Sequence, residues 1–302
     1  MQLGFVSAIF WDLKLDEVLR FAAGEGYDCV EAMCWPPGGP DRKYGGVAHI
    51  NVVDFTQSAA DDVSALCGKH KVQLSGLGYY PNILSGNEDE AAVATEHLKN
   101  VIRAAPLLGL KNVNTFIGND HRQPLEYNFV RFQEVWPDLV RLAEDCDVRL
   151  GIENCPMLFS KDEWPGGKNL ARTPAIWRRM FEAIPSKHFG LNYDPSHFVL
   201  QLMDYVKPIF EFKDKLFHIH AKDFKIERDR LDDLGILAMG WGTPKIPGLG
   251  DIDWGRWISA LTDVGFQGSV CVEVEDEAFM HDRSSRERSL RVSRNVLRPL
   301  IG

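Results

Sequence analysis

Short apolar runs alternate with amphipathic stretches from one end of the chain to the other. The runs are LGFVSAI (3–9), CVEAM (29–33), VQLSGLGY (72–79), KNVNTFI (111–117), VRLGIEN (148–154), FGLNYD (189–194), LFHIHAK (216–222) and SVCVEVE (269–275). Each is strand-sized, rich in Val, Ile, Leu and Phe, and bounded by Gly, Pro, Asn or Asp, the pattern of strands buried on both faces. The stretches between them follow helical spacing. In 15–26, Leu15, Val18, Leu19 and Ala22 form one apolar stripe at i, i+3, i+4 and i+7. Similar patterns predict helices over 54–70, 88–109, 128–146, 173–184, 199–212 and 254–266, and a closing helix over 281–300 with its arginines on the wet face.

Strand–helix units repeated in series predict parallel strands joined by crossover helices. A closed (β/α)8 TIM barrel and an open doubly wound sheet both satisfy that order. The number of units, the chain length and the lack of a Gly-rich phosphate turn after the first strand favour the barrel. No composition shift divides the chain, so residues 1–302 are expected to form a single domain. Long insertions at 36–55 and 223–253 follow the second and seventh strands, on the face where barrel enzymes build their sites.

Composition narrows the function. The 302 residues carry a formal net charge of −9, which argues against a nucleic-acid groove and against anionic membranes. The apolar runs are far too short to span a bilayer, and the first residues lack the features of a signal peptide. Six cysteines without a CxxC read as reduced core thiols of a cytoplasmic protein.

The chemistry concentrates where strands end. The fifth ends in Ile152-Glu153-Asn154, and the sixth in Asn192-Tyr193-Asp194 followed by Pro195-Ser196-His197. The seventh offers His218, His220, Lys222 and Asp223, and the eighth Glu273 and Glu275. Carboxylates and an imidazole at matching depths on successive strands are costly unless paired or coordinated, and one divalent cation would satisfy them together. A mostly oxygen donor set suits Mn²⁺, Mg²⁺ or Co²⁺, whereas a closed structural zinc site more often uses thiolates or several imidazoles. His218 and Lys222 share the inward parity of His220. Trp11, Trp35 and Trp164 near strand tops, with Trp241, Pro244 and Pro247 in the later insertion, suggest an aromatic lid suited to a sugar ring. Trp254 and Trp257 read as helix-face packing with Asp253 as N-cap.

Through GIEN (Glu153), NYDPSH (Asp194, His197), HIHAKD (His220), VEVEDE (Glu273) and PGLGDIDW, the chain resembles the sugar phosphate isomerase/epimerase superfamily. These xylose isomerase-like TIM barrels include ketose 3-epimerases, inosose dehydratase-type proteins and apurinic-site endonucleases. The resemblance implies metal ligation by Glu153, Asp194, His220 and Glu273, with Mn²⁺ first and Mg²⁺, Co²⁺ or Zn²⁺ as alternatives. It selects His220 over His218 and Glu273 over Glu275, and gives His197 a substrate oxygen. Lys222 and Trp11 are further candidate substrate contacts. Two positions depart from the ketose 3-epimerase pattern: Phe159 stands where that group has a Glu, and Ile226 where it has an Arg.

The expected chemistry is proton transfer next to a metal-polarised carbonyl through an enediolate, Glu153 and Glu273 removing and returning the proton. That makes the chain a carbohydrate isomerase or epimerase, with homo-oligomer formation left open. Loss of a β-oxygen substituent instead would make it a lyase or dehydratase acting on a 3-oxo-glycoside or inosose. A non-catalytic sugar-binding barrel is the alternative of another class.

Overall fold

The computed structural model describes residues 1–38, 46–158 and 166–301. Eight parallel strands close into a barrel: β1 (Gln2–Val6), β2 (Cys29–Met33), β3 (Gln73–Gly78), β4 (Asn112–Thr115), β5 (Arg149–Glu153), β6 (Phe189–Tyr193), β7 (Leu216–Ala221) and β10 (Ser269–Val272). Neighbours follow chain order, and β10 closes the ring between β7 and β1. The expected (β/α)8 TIM barrel is therefore the observed fold, and all eight apolar runs form its staves.

Helices α1 (Leu15–Gly24), α2 (Gln57–His70), α3 (Glu88–Leu107), α4 (Leu125–Asp145), α5 (Pro174–Ala183) and α9 (Trp254–Asp263) lie in the stretches where helical periodicity predicts them. Side-chain caps mark several starts: Thr56 accepts from the Ala59 amide, Asn87 from Glu90, Thr173 from Ile176 and Asp253 from Arg256. Each occupies one amide that the helix itself leaves unpaired. Outward strand residues such as Phe5, Val30, Leu77, Val113, Ile152, Leu191 and Ile219 are buried in the main apolar core, which also includes Trp136 and Trp177 of the helices.

Three segments differ from the sequence reading. The helix expected over 199–212 is two short ones, α6 (Ser196–Leu200) and α7 (Lys207–Glu211). Leu202 turns the backbone into the left-handed region (φ 56°), and Asp204 then accepts from the Val206 and Lys207 amides, starting a new helix. Past β7, the insertion folds back on itself as β8 (Asp223–Ile226), α8 (Arg228–Leu234) and β9 (Gly242–Lys245), with β8 and β9 antiparallel. The closing helix is α10 (Arg283–Ile301), but Arg286 does not face solvent. It is 4% exposed, paired with Asp12 through both terminal nitrogens at 2.7 Å, and its guanidinium lies 4.1 Å from the centre of the Trp11 ring.

All six cysteines are free thiols. Among the described residues no helix is long and apolar enough to cross a membrane.

Candidate metal centre

Alternation along β5 sends Leu150 and Ile152 into the outer core, so Glu153 points into the barrel mouth. The same parity brings His220 inward on β7, with Asp194 and Glu273 one residue beyond the ends of β6 and β10. The four side chains gather: one donor atom from each of Glu153, Asp194, His220 and Glu273 lies within 4.8 Å of all the others. His220 Nδ1 stands 3.4 Å from Glu153 Oε1 and 3.6 Å from Glu273 Oε2.

The strand ends are tied together. Asn154 accepts from the Asp194 amide at 2.8 Å and donates to the Asp194 carbonyl at 2.9 Å, locking β5 to β6. Asn169 donates to the Glu153 and Cys155 carbonyls. Asp194 Oδ1 accepts from the Ser196 amide, leaving Oδ2 for the centre.

Two atoms bear on whether a cation fits. Asp194 Oδ2 and His220 Nδ1 are buried and make no close hydrogen bond, only longer ionic contacts at 3.3–3.6 Å to Lys222, His197, Glu153 and Glu273. A cation among them would give both a direct partner. Three carboxylates and one neutral imidazole nitrogen meet the preferences of a hard-to-borderline dication. The residues fit such an ion.

A second group, Glu31, His218 and His220, also stands within metal-binding distance. Its donor atoms are already used within the chain. Glu31 Oε1 accepts from Tyr80 and Oε2 from His220 Nε2, while the His218 nitrogens face Asn192 Oδ1 and Ser75 Oγ at 3.0 Å. This group is a hydrogen-bonded network.

The other expected contacts fall around the four. His197 Nε2 is 3.2 Å from Glu153 Oε1 and 3.3 Å from Asp194 Oδ2. Lys222 Nζ reaches Glu273 at 2.6 Å, Glu275 at 2.9 Å and Asp194 at 3.3 Å. Burial opposes its charge, yet those carboxylates hold the ammonium well above its usual range. Burial would likewise push Glu153 up, but His220, His197 and Lys222 outweigh it, and the carboxyl lies below the usual range. Glu273 is held down by Lys222 against its burial. Burial raises the Glu275 carboxyl despite Lys222 beside it.

The aromatic lid is only partly present. Trp11 follows β1 on the barrel rim and is 49% exposed, and Trp35 is half-buried and edge-on to Tyr79. Trp241 is buried against Phe224, because folding back of the β8–β9 pair encloses it. Trp254 and Trp257 pack edge to face as helix-face residues. Trp164 and Phe159 lie outside the described residues. The sequence reading passed over Glu31, Tyr80, Ser75 and Asn192 as parts of this centre. A lone carboxylate at inward parity in the apolar CVEAM run was the available signal for Glu31.

A parallel eight-stranded barrel with ionisable side chains converging at the C-terminal ends of its strands is the architecture of barrel enzymes. The chain belongs to the xylose isomerase-like TIM barrel family, whose model matches residues 19–300. The Bacillus subtilis (strain 168) protein YfiH is 24% identical over 344 aligned positions, covering 100% of this chain and 99% of that protein. The inosose dehydratase of Geobacillus thermodenitrificans (strain NG80-2) is 31% identical over 115 residues, 37% of this chain and 38% of that enzyme. Among solved structures, the zinc-bound IOLI protein superposes with a TM-score of 0.74 at 18% identity, covering 100% of this chain and 98% of that one. The D-psicose 3-epimerase of Clostridium cellulolyticum H10, solved with D-tagatose, gives 0.70 at 16% identity, covering 100% and 99%. These two likenesses concern the fold.

Proposed function

We propose that the chain is a divalent-metal-dependent isomerase or epimerase acting on a small carbohydrate by proton transfer at a carbon next to a carbonyl. One observation carries the reading: Glu153, Asp194, His220 and Glu273 converge from four strands, with one donor atom of each within 4.8 Å of all the others. These four would hold the cation, Mn²⁺ by the donor set. When bound, it supplies a Lewis acid that polarises the substrate carbonyl and stabilises developing negative charge.

The protein's own residues do the rest. Strands β6 and β7 separate β5 from β10 in the ring, so Glu153 and Glu273 flank the centre from two sides. Both carboxyls are held low, so either can accept the substrate proton as a carboxylate, and the other, after taking a proton from solvent, donates it to the opposite face. Lys222 bridges Asp194, Glu273 and Glu275, its positive charge offsetting the repulsion among them, and a substrate oxygen would take its N–H in place of one of these carboxylates. His197, against Glu153 and Asp194, is placed to orient a hydroxyl beside the reacting carbon.

The likeness to psicose 3-epimerase supports an epimerase on this barrel. The local match to inosose dehydratase favours a second reading, β-elimination from a 3-oxo sugar or inosose, which shares the first proton abstraction. Incubation of purified protein with Mn²⁺ and each substrate type in D₂O separates them. Deuterium at the carbon next to the ketone, without loss of mass as water, supports the epimerase. An unsaturated product supports the lyase. No exchange and no turnover with either type would remove the catalytic reading and leave a sugar-binding barrel.

A further inference from the structure

The interior of a (β/α)8 barrel is ordinarily filled by branched apolar side chains in layers. Here a polar column crosses it: Ser75, His218, Asn192, Tyr80, Glu31 and His220, every one buried. With Glu31 ionised and His218 neutral, one set of protons satisfies the column. Glu31 is a carboxylate and accepts only. One oxygen takes the Tyr80 hydroxyl proton, and the other the Nε2–H of His220 at 2.7 Å. Tyr80 has thereby used its proton, so its oxygen accepts from Asn192 Nδ2 at 3.1 Å. The same Nδ2 lies 3.1 Å from His220 Nε2, and the flipped orientation would set the Asn192 oxygen against the lone pairs of Tyr80. Asn192 Oδ1 then accepts from His218 Nδ1 at 3.0 Å, and His218 Nε2 accepts from Ser75 Oγ at 3.0 Å. The column ends at His220, whose remaining nitrogen, Nδ1, faces Glu153 at 3.4 Å and Glu273 at 3.6 Å.

Space for the carboxylate is built into the neighbouring strand. At Gly78 of β3, which pairs with β2, a Cβ would stand 2.5 Å from Glu31 Oε1. A larger residue there would crowd Glu31 Oε1 and the Tyr80 ring that holds it.

We propose that Glu31 is a positioning residue: supported by Tyr80 and Asn192, it holds the Nε2–H of His220 and so presents Nδ1 as the donor atom to a divalent cation. This rests on the reading that Glu153, Asp194, His220 and Glu273 hold such an ion. A carboxylate behind a ligand imidazole sets its tautomer and raises its basicity, and losing it typically weakens metal affinity about 10–100-fold.

The test is Zn²⁺ affinity by competition with a chromophoric chelator, on wild type, Glu31→Gln, Glu31→Leu, Tyr80→Phe and each Glu31 variant combined with His220→Ala. Glu31→Gln keeps an acceptor for the imidazole and is expected to weaken Zn²⁺ about 10-fold, and Glu31→Leu about 100-fold. Tyr80→Phe should fall between wild type and Glu31→Gln. Without His220 the Glu31 substitutions should cost nothing further, because the effect runs through that ring. A ¹⁵N spectrum of the Zn²⁺-loaded protein should show Nε2–H of His220 as a downfield, slowly exchanging proton that Glu31→Leu loses. Unchanged affinity in Glu31→Leu, or an equal loss with and without His220, overturns the proposal while leaving the metal reading intact. A wild type that takes up no Zn²⁺ overturns the metal reading, and this inference with it.

Discussion

Asp223 is the anchor of the insertion that follows β7, and its removal is open to calculation. The side chain is fully buried and accepts four hydrogen bonds. Oδ1 takes the amides of Phe224 at 2.9 Å and Ile252 at 3.1 Å, and Oδ2 takes Gly248 N at 3.0 Å and Trp254 Nε1 at 2.9 Å. The donors of Phe224, Ile252 and Trp254 belong to buried residues, whereas Gly248 is exposed and can turn to water. Stranding three buried donors at about 1–3 kcal/mol each, with some relief from relaxation, predicts a loss of about 3–5 kcal/mol for Asp223→Ala. Asp223→Asn keeps one acceptor oxygen but sets an NH₂ against two N–H groups, so it should recover less than half of that. Urea unfolding followed by fluorescence gives the free energies, and limited proteolysis reports whether cleavage within 228–240 accelerates as the anchor goes. If Asp223→Asn lies within about 0.5 kcal/mol of wild type, the range of an ordinary surface substitution, the hydrogen-bond reasoning is wrong.

Three further outcomes are expected. Glu153→Gln should leave the fold intact and lower kcat about 10²–10⁴-fold on whichever carbohydrate is turned over, the usual worth of a positioned proton carrier; unchanged kcat would remove Glu153 from that role. Lys222→Met leaves Asp194, Glu273 and Glu275 without their shared ammonium. The cation-free protein should lose about 3–5 kcal/mol in urea unfolding, and saturating Mn²⁺ should restore part of it, about 2.7 kcal/mol at 100 times its Kd. Asp16 sits beside Lys69 and His70, which hold its carboxyl down at about 2. Because the folded value lies below the unfolded one, its contribution is present above pH 4 and lost as pH falls through about 2. The Tm gap between wild type and Asp16→Asn should therefore be open at pH 6, narrow towards pH 2, and shrink in salt; a gap independent of pH would contradict the pairing.

The strands were legible because barrel strands are buried on both faces, so Val, Ile, Leu and Phe crowd into short runs with Gly, Asn and Asp at their ends. Glu153, Asp194 and Glu273 stood out for the complementary reason, as charges at the tips of such runs. Parity alone left His218 and His220 equivalent. What separates them in the fold is that both nitrogens of His218 are occupied by Asn192 and Ser75, on strands far away in the chain. Glu31 was hidden by its mid-strand position, and Tyr80 looked like one more aromatic at a strand end. The break at Leu202 was invisible because apolar residues continue at helical spacing through 199–212, while Asp204, which starts the second helix, looks like any surface acid. The strand containing Pro244 was obscured by its proline, tolerated because β9 pairs with β8 alone.

The most direct measurement is a crystal of the protein soaked in Mn²⁺ and read by anomalous scattering at the manganese edge. One peak enclosed by Glu153, Asp194, Glu273 and the Nδ1 of His220 is the predicted result. A peak seated between Glu31 and His218, or none at full soaking, would contradict the account.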